Sequence, residues 1–230
     1  MDTRQEFKNR ADAGRQLAQA IGGTAVQDPV VLALPRGGVP VAYEIAAFLD
    51  APLDVLFVRK IGAPSNKEYG IGAVIDGDPP ERVLDSDAVR YSRATEAYIE
   101  EETKHELQAI AVRRKLYMGA RRSIAVENRN VILVDDGIAT GNTVLAAIKG
   151  LRQMRVRSIL VAVPVAPPEA IDRLSSEVDR IVCLSTPRHF ASVGDHYEDF
   201  GQVPDEDVVA LLKRAAQPER GTPSSRSISS

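Results

Sequence analysis

An α/β fold, with a mostly parallel sheet and helices on both faces, is what this 230-residue chain predicts. Two patterns carry the prediction. The aliphatic runs PVVLAL (29–34), VILV (131–134) and SILVAVPV (158–165) show no polar alternation, as strands buried on both faces do. Helix-patterned segments lie between them, and strands alternating with helices build parallel sheets. Ligands of such sheets bind beyond the carboxyl ends of the strands. The polar loops after Leu34, Val58 and Val134 are expected there.

Residues 4–20 pattern as a charged helix. PVVLAL feeds a Pro35-Arg36-Gly37-Gly38 turn, VPVAYEIAAFL follows as a helix, and PLDVLFVRK reads as a second buried strand. Residues 62–70, GAPSNKEYG, have no apolar period and read as a polar loop. IGAVIDGD and ERVLD form a hairpin across Gly77-Asp78-Pro79-Pro80. From Ser86 to about Met118 the chain is polar and helix-forming, with Glu100 and Lys104 at i,i+4 and Leu107, Ile110, Ala111 and Met118 on one face. One or two helices are expected. After VILV comes the helical run VLAAIKGLRQ, then strands RSILVAVPVA and DRIVCLS about a helix near PPEAIDRLS. PDEDVVALLKRA closes the fold, with Pro204 and acids in its first turn. Residues 1–216 are expected to form one domain with a helical insertion at about 86–118, and 217–230 a disordered tail.

A hydrophobic content of 44% and a charged content of 27% suit a soluble globular protein, and a net charge of −3 gives no general attraction to nucleic acid or anionic membrane. The single cysteine, Cys183, excludes an internal disulfide framework and a cysteine-based zinc cage. Within RIVCLS it reads as a buried, inert thiol. No apolar run reaches about eighteen residues and the start lacks a signal-peptide core, so a cytoplasmic location is expected.

Residues 131–143, VILVDDGIATGNT, carry the most chemistry. A buried strand ends in two carboxylates, Asp135 and Asp136, and a small loop, Ala139-Thr140-Gly141-Asn142-Thr143, opens onto a helix. Carboxylates accept hydrogen bonds from a sugar diol, while backbone N–H groups at a helix start favour an anion. A phosphorylated ribose offers both groups. The segment resembles the 5-phosphoribosyl-1-pyrophosphate (PRPP) signature of the type I phosphoribosyltransferases. The likeness covers roughly residues 28–185, and the combination PRGG…VRK…DDGIATGNT is most similar to uncharacterised bacterial phosphoribosyltransferase-domain proteins, some of which adjoin hydrolase domains.

That resemblance implies an α/β sheet with a small variable hood, and a function for each loop. Arg36, Gly37 and Gly38 would meet the pyrophosphate, adjacent glycines letting N–H groups face a cavity, often with a strained peptide bond near Arg36–Gly37. Arg59 and Lys60 offer charge to the leaving pyrophosphate, and Lys67, Glu68 and Tyr69 belong to a mobile lid loop. Asp135 and Asp136 would bind the ribose hydroxyls, with Mg²⁺ close by, through water where not direct. Ala139, Thr140, Gly141, Asn142 and Thr143 would wrap the 5′-phosphate. The catalytic set is then Arg36, Lys60, Asp135 and Asp136. Relatives acting on 6-oxopurines carry an acid where this chain has Ala139, so the chain is closer to the adenine or orotate pattern. Gly137 replaces a more usual aliphatic residue, which would loosen the loop.

The expected activity is Mg²⁺-dependent transfer of phosphoribosyl from PRPP to a nitrogenous, nucleobase-like acceptor, placing the chain in nucleotide metabolism. The segment RHFASVGDHYEDF (188–200) offers Phe190, His196 and Tyr197 as acceptor contacts, or else packs its aromatics on the sheet. The alternative is a non-catalytic PRPP- or nucleotide-sensing regulator on the same fold, but neither a DNA-binding module nor a basic face is evident. A dinucleotide-binding oxidoreductase needs GxGxxG after the first strand, and PRGGVP does not supply it. The expected partners are PRPP and the small acceptor, without nucleic acid or membrane, in a chain that self-associates through helices beside the sheet as relatives commonly do.

Overall fold

A computed structural model of the chain describes residues 7–22 and 26–216. Five strands form one parallel sheet: β1 (Pro29–Ala33), β2 (Leu53–Val55), β6 (Asn130–Val134), β7 (Ser158–Val165) and β8 (Arg180–Ser185), in the order β2-β1-β6-β7-β8. Ala33 lies opposite both Val55 and Val134, so the strand ends that carry the loops are level. The expected parallel sheet between helices is what forms.

Each central strand splits its aliphatic residues between two cores. Val31, Ala33, Ile132 and Val134 face helices α1 (Arg10–Gly22), α2 (Gly38–Leu49), α4 (Glu96–Met118) and α7 (Asp205–Ala215). Val30, Leu32, Val131 and Leu133 face α5 (Asn142–Gln153) and α6 (Pro168–Ser175). Burial on both faces explains the unbroken apolar runs, each fully buried Ile or Leu contributing about 1.5–3 kcal/mol.

PLDVLFVRK is not one strand. It contributes β2 to the parallel sheet and then β3 (Val58–Ala63) to a second, antiparallel sheet with β4 (Asn66–Ile75) and β5 (Glu81–Leu84). The hand-over falls at Leu56-Phe57, where the Leu56 amide donates to the Ala33 carbonyl and the Phe57 carbonyl accepts from Asp76. Val58 therefore starts a strand of the second sheet instead of ending one in the first. Residues 62–70 are not an irregular loop either. They turn at Pro64-Ser65, pairing Ala63 with Asn66 and Gly62 with Gly70 through register shifts. The hairpin expected from IGAVIDGD and ERVLD is β4–β5.

The helical stretch beginning at Ser86 forms two helices, α3 (Ser86–Ser92) and α4. Asp85 caps the first by accepting from the amides of Asp87 and Ala88, and Thr95 caps the second by accepting from Tyr98. Among the described residues the N-terminal helix starts at Arg10; Phe7, three positions earlier, forms a bridge with Tyr197. The tail expected at 217–230 and the helix start at 4–6 lie outside the described residues.

Candidate active site

The loop after β1 extends the ladder once more, Leu34 donating to the Val134 carbonyl at 2.9 Å, and turns into α2 through a cis Pro35–Arg36 peptide, one bond before the one expected to be unusual. Gly37 has ordinary helical dihedrals (φ −58°, ψ −34°). Its lack of a side chain matters because an added Cβ would overlap the Asp136 carboxylate. A Cβ on Gly38 would lie 2.7 Å from the Val134 carbonyl oxygen. The glycines thus let the first loop press onto the acidic loop, a packing reason in addition to the exposure of N–H groups. Arg36 reaches Asp205 at the start of α7, 3.7 Å away, and Asp205 also accepts from the Tyr117 hydroxyl. Burial, and then Asp205, push the Tyr117 hydroxyl up to about 12.

The two acids after β6 are held differently. Asp135 is half-buried and accepts its neighbour's amide at 2.9 Å. Burial, reinforced by repulsion from Asp136, holds its carboxyl well above the usual carboxylate range. Asp136 accepts from Arg10 Nε at 2.7 Å, and its carbonyl accepts from the Tyr197 hydroxyl at 2.6 Å. Burial and the nearby acids push the Tyr197 hydroxyl upward as well. Gly137 is closely packed. The space a side chain would take there is filled by Val193, with Cγ2 2.9 Å from an ideal Cβ. Among the described residues no cluster of three or more His, Cys, Asp or Glu is placed to hold a metal ion. A cation would rely on oxygens brought by ligand and water, which suits Mg²⁺, with Asp135 and Asp136 as the neighbouring carboxylates.

The loop then exposes Ala139 and Thr140 and reaches Gly141, in the left-handed region at φ +77°. A Cβ on Gly141 would have ordinary neighbours, Ile138 at 3.6 Å and Leu174 at 3.7 Å. Backbone conformation demands this glycine. Helix α5 starts with no side-chain cap from Gly141, so its first amides, which cannot bond within the helix, are open to an anion. Asn142 and Thr143 are at that end, both exposed.

Arg59 and Lys60 point to opposite faces of β3. Arg59 donates to Glu106 on α4 at 2.7 Å. Lys60 donates to Glu68 at 3.2 Å and lines, with Tyr69, Asn142 and Thr143, a cleft of about 570 Å³ between the second sheet and α5. Lys67 is tied to α4 through Glu102 (2.6 Å) and the Tyr98 hydroxyl (2.9 Å). Glu102 and then Tyr98 raise the Lys67 ammonium above its ordinary value. Of the expected lid residues, Glu68 and Tyr69 share the cleft and Lys67 does not.

Phe190, His196 and Tyr197 do not offer an open stacking platform. His196 is fully buried and stacked on Phe190, with centroids 5.7 Å apart, while Tyr197 is wedged between Phe7 and Phe200 at 5.3 and 5.0 Å. The segment packs inward and braces the acidic loop.

With this geometry in place, the phosphoribosyl transferase domain family model matches residues 5–199. The chain belongs to that family. A relative from Mycobacterium tuberculosis H37Rv, Rv0571c, whose name assigns it provisionally as a phosphoribosyl transferase, is 42% identical over 209 residues, covering 91% of this chain and 47% of the relative. This phosphoribosyl transferase domain therefore spans about half the length of the curated relatives it matches. The crystal structure of TT1426 from Thermus thermophilus has 45% identity and a TM-score of 0.82, covering 92% of this chain and 100% of that one. A Pyrococcus furiosus ribose-phosphate pyrophosphokinase is 38% identical over 66 residues, 28% of this chain and 24% of that protein.

Two residues at this site, Arg10 and Arg173, were not singled out from sequence, and a third, Tyr197, was given another role. Arg10 and Tyr197 grip Asp136, and Arg173 on α6 donates to Asn142 Oδ1 at 2.8 Å and to the Thr140 carbonyl at 3.4 Å. Of these, Tyr197 was expected to contact the acceptor and instead serves the acidic loop. Arg10 and Arg173 sit in charged helices where nothing separates them from solvated cations.

Proposed function

We propose that the protein catalyses Mg²⁺-dependent transfer of phosphoribosyl from PRPP to a nitrogenous heterocyclic acceptor, releasing pyrophosphate. The observation that supports this best is the convergence of three features at one sheet edge. The Pro35–Gly38 loop lies against the acid pair, and the open N-terminus of α5 follows it directly. Amides and hydroxyls of Thr140–Thr143 would hold the 5′-phosphate. Asp135 and Asp136 would accept from the ribose hydroxyls and tolerate the positive charge that develops on the sugar as the glycosidic bond breaks. Loop amides, Arg36 and Lys60 would steady the departing pyrophosphate. Mg²⁺, when bound, supplies further positive charge to that leaving group. Ala139 cannot accept a proton from a base, so acceptors that need no acid there are favoured.

The experiment is pyrophosphate release from PRPP with Mg²⁺ across purine, pyrimidine and related heterocycles, beside a base-free control and direct PRPP calorimetry. Acceptor-dependent release supports transfer and names the acceptor class. PRPP binding without release from any acceptor overturns catalysis in favour of sensing. Absence of PRPP binding overturns the reading entirely.

A further inference from the structure

Helix α4 is 23 residues long, about 34 Å, and uses only its inner side within the chain. Ile99, Ile110 and Tyr117 are buried there. The acids that turn toward the second sheet are paired: Glu96 with Arg82 at 2.9 Å, Glu102 with Lys67 at 2.6 Å and Glu106 with Arg59 at 2.7 Å. The outer side is open to solvent from end to end. Ala97, Glu101, Lys104, Gln108, Ala111 and Lys115 are all exposed and lie alternately four and three positions apart, the spacing of a seam between two helices. Beside that row stand Val112 (71% exposed) and Leu116 (54%), two large apolar side chains without cover. Charge is divided along this side, with Glu100 and Glu101 toward its start and Arg113 and Lys115 near its end. None of these four side chains has a hydrogen bond or ion pair among the described residues.

We propose that this outer side of α4 docks on the same side of a second copy of the chain, the two helices antiparallel about a two-fold axis at Gln108. The position of the axis follows from charge. It sets Lys115 opposite the partner's Glu101, and by symmetry Glu101 opposite the partner's Lys115. A parallel pair would set acids against acids and cations against cations. With the axis at Gln108, Val112 meets the aliphatic stem of the partner's Lys104, and Leu116 that of the partner's Glu100. A partner of one charge sign, such as nucleic acid or an anionic membrane, would be attracted by one half of this helix and repelled by the other. An inverted second copy satisfies both halves. The pairing makes no use of the PRPP site and stands or falls apart from it.

The test is sedimentation velocity, from micromolar to near-millimolar protein, on wild type, Glu101→Lys, Lys115→Glu, the Glu101→Lys/Lys115→Glu double and Val112→Lys. All three positions are exposed, and thermal melts check that each variant folds. Wild type is expected to dimerise. Each single charge reversal should raise the dimer Kd by about tenfold or more, because the two-fold axis turns two attractive contacts into two repulsive ones. The double reversal should return the Kd to within about threefold of wild type, since the facing charges are again opposite. Val112→Lys, brought against the partner's Lys104, should weaken the dimer by about tenfold as well. Under mild oxidation, Gln108→Cys should cross-link to its own copy, whereas Ala97→Cys, which meets the partner's Gly119, should not. A wild type that stays monomeric over the whole range overturns the proposal. So does a double reversal no tighter than the worse single, a Val112→Lys dimer as tight as wild type, or cross-linking through Ala97→Cys but not Gln108→Cys.

Discussion

Gly37→Ala separates backbone effects from contact effects at the heart of the site. The residue has helical dihedrals, so alanine fits its backbone and stabilises by about 0.5–1 kcal/mol through the unfolded chain. The obstacle is the Asp136 carboxylate, which the new methyl would overlap. A free carboxylate would swing away at little cost. This one is held by Arg10 at 2.7 Å, so moving it breaks the pair. Exposed pairs are worth about 0–1 kcal/mol and losing one partner of a buried pair costs about 3–5 kcal/mol. The 12% and 16% exposures place this pair between them, near about 2 kcal/mol. The net loss is then about 1–1.5 kcal/mol, a fall in Tm of about 3–5 °C for a chain of this size. Urea and thermal melts measure it, with Asp136→Ala and the Gly37→Ala/Asp136→Ala pair as controls. Once Asp136 is truncated the methyl has room, so the pair should be no less stable than Asp136→Ala alone. A Gly37→Ala protein as stable as wild type, or a full additional loss in the pair, would refute the reasoning.

At Gly141 the contacts are ordinary and the φ of +77° decides, so Gly141→Ala should cost about 1–2 kcal/mol in urea melts; an unchanged midpoint would show that the turn relaxes freely. Arg114 lies between two buried acids, Asp54 (1% exposed) and Asp76 (7%), and burial already raises the Asp76 carboxyl above its ordinary value. Arg114→Met should therefore cost about 3 kcal/mol or more, and a loss below about 1 kcal/mol would mean the acids find water or another partner. Arg173→Ala should weaken PRPP binding about threefold with Tm nearly unchanged, because the exposed guanidinium steadies loop atoms without filling core; equal affinity would remove it from the site. Burial pushes the Cys183 thiol up to about 11, so the folded protein keeps the proton that the unfolded chain releases nearer 9. That contribution is complete below about pH 9 and fades as pH rises through 11, amounting to about 2–3 kcal/mol. Wild type minus Cys183→Ala stability, measured by urea at pH 8 and 11, should shrink accordingly, and a pH-independent difference would contradict it.

Strands buried on both faces wrote themselves into the sequence, because the sheet leaves no solvent face to interrupt VILV or SILVAVPV with polar residues. The same logic misled at PLDVLFVRK. Its apolar run is continuous although its halves serve two sheets, and periodicity cannot register a change of partner. Residues 66–70 failed in the opposite sense: all are exposed, so a real strand left no apolar alternation. The signature loop was legible because strand, acids, glycine and helix start are contiguous. Arg10 and Asp136 are 126 positions apart, and no local pattern marks a cation in a charged helix as the one that folds onto a carboxylate.

The exchange at Gly137 shows why local reading of the loop fell short. Removing an aliphatic side chain from a signature loop suggests slack when only neighbours in sequence are considered. In the folded chain the vacated volume belongs to Val193, and the residues around Val193 also bring Tyr197 to the Asp136 carbonyl and Phe200 beneath Arg10. Local side-chain bulk is thereby replaced by long-range packing. The packing of the loop thus involves the segment 193–200 and the start of α1, so the placement of the two acids is set by segments distant in sequence as well as by the loop that carries them.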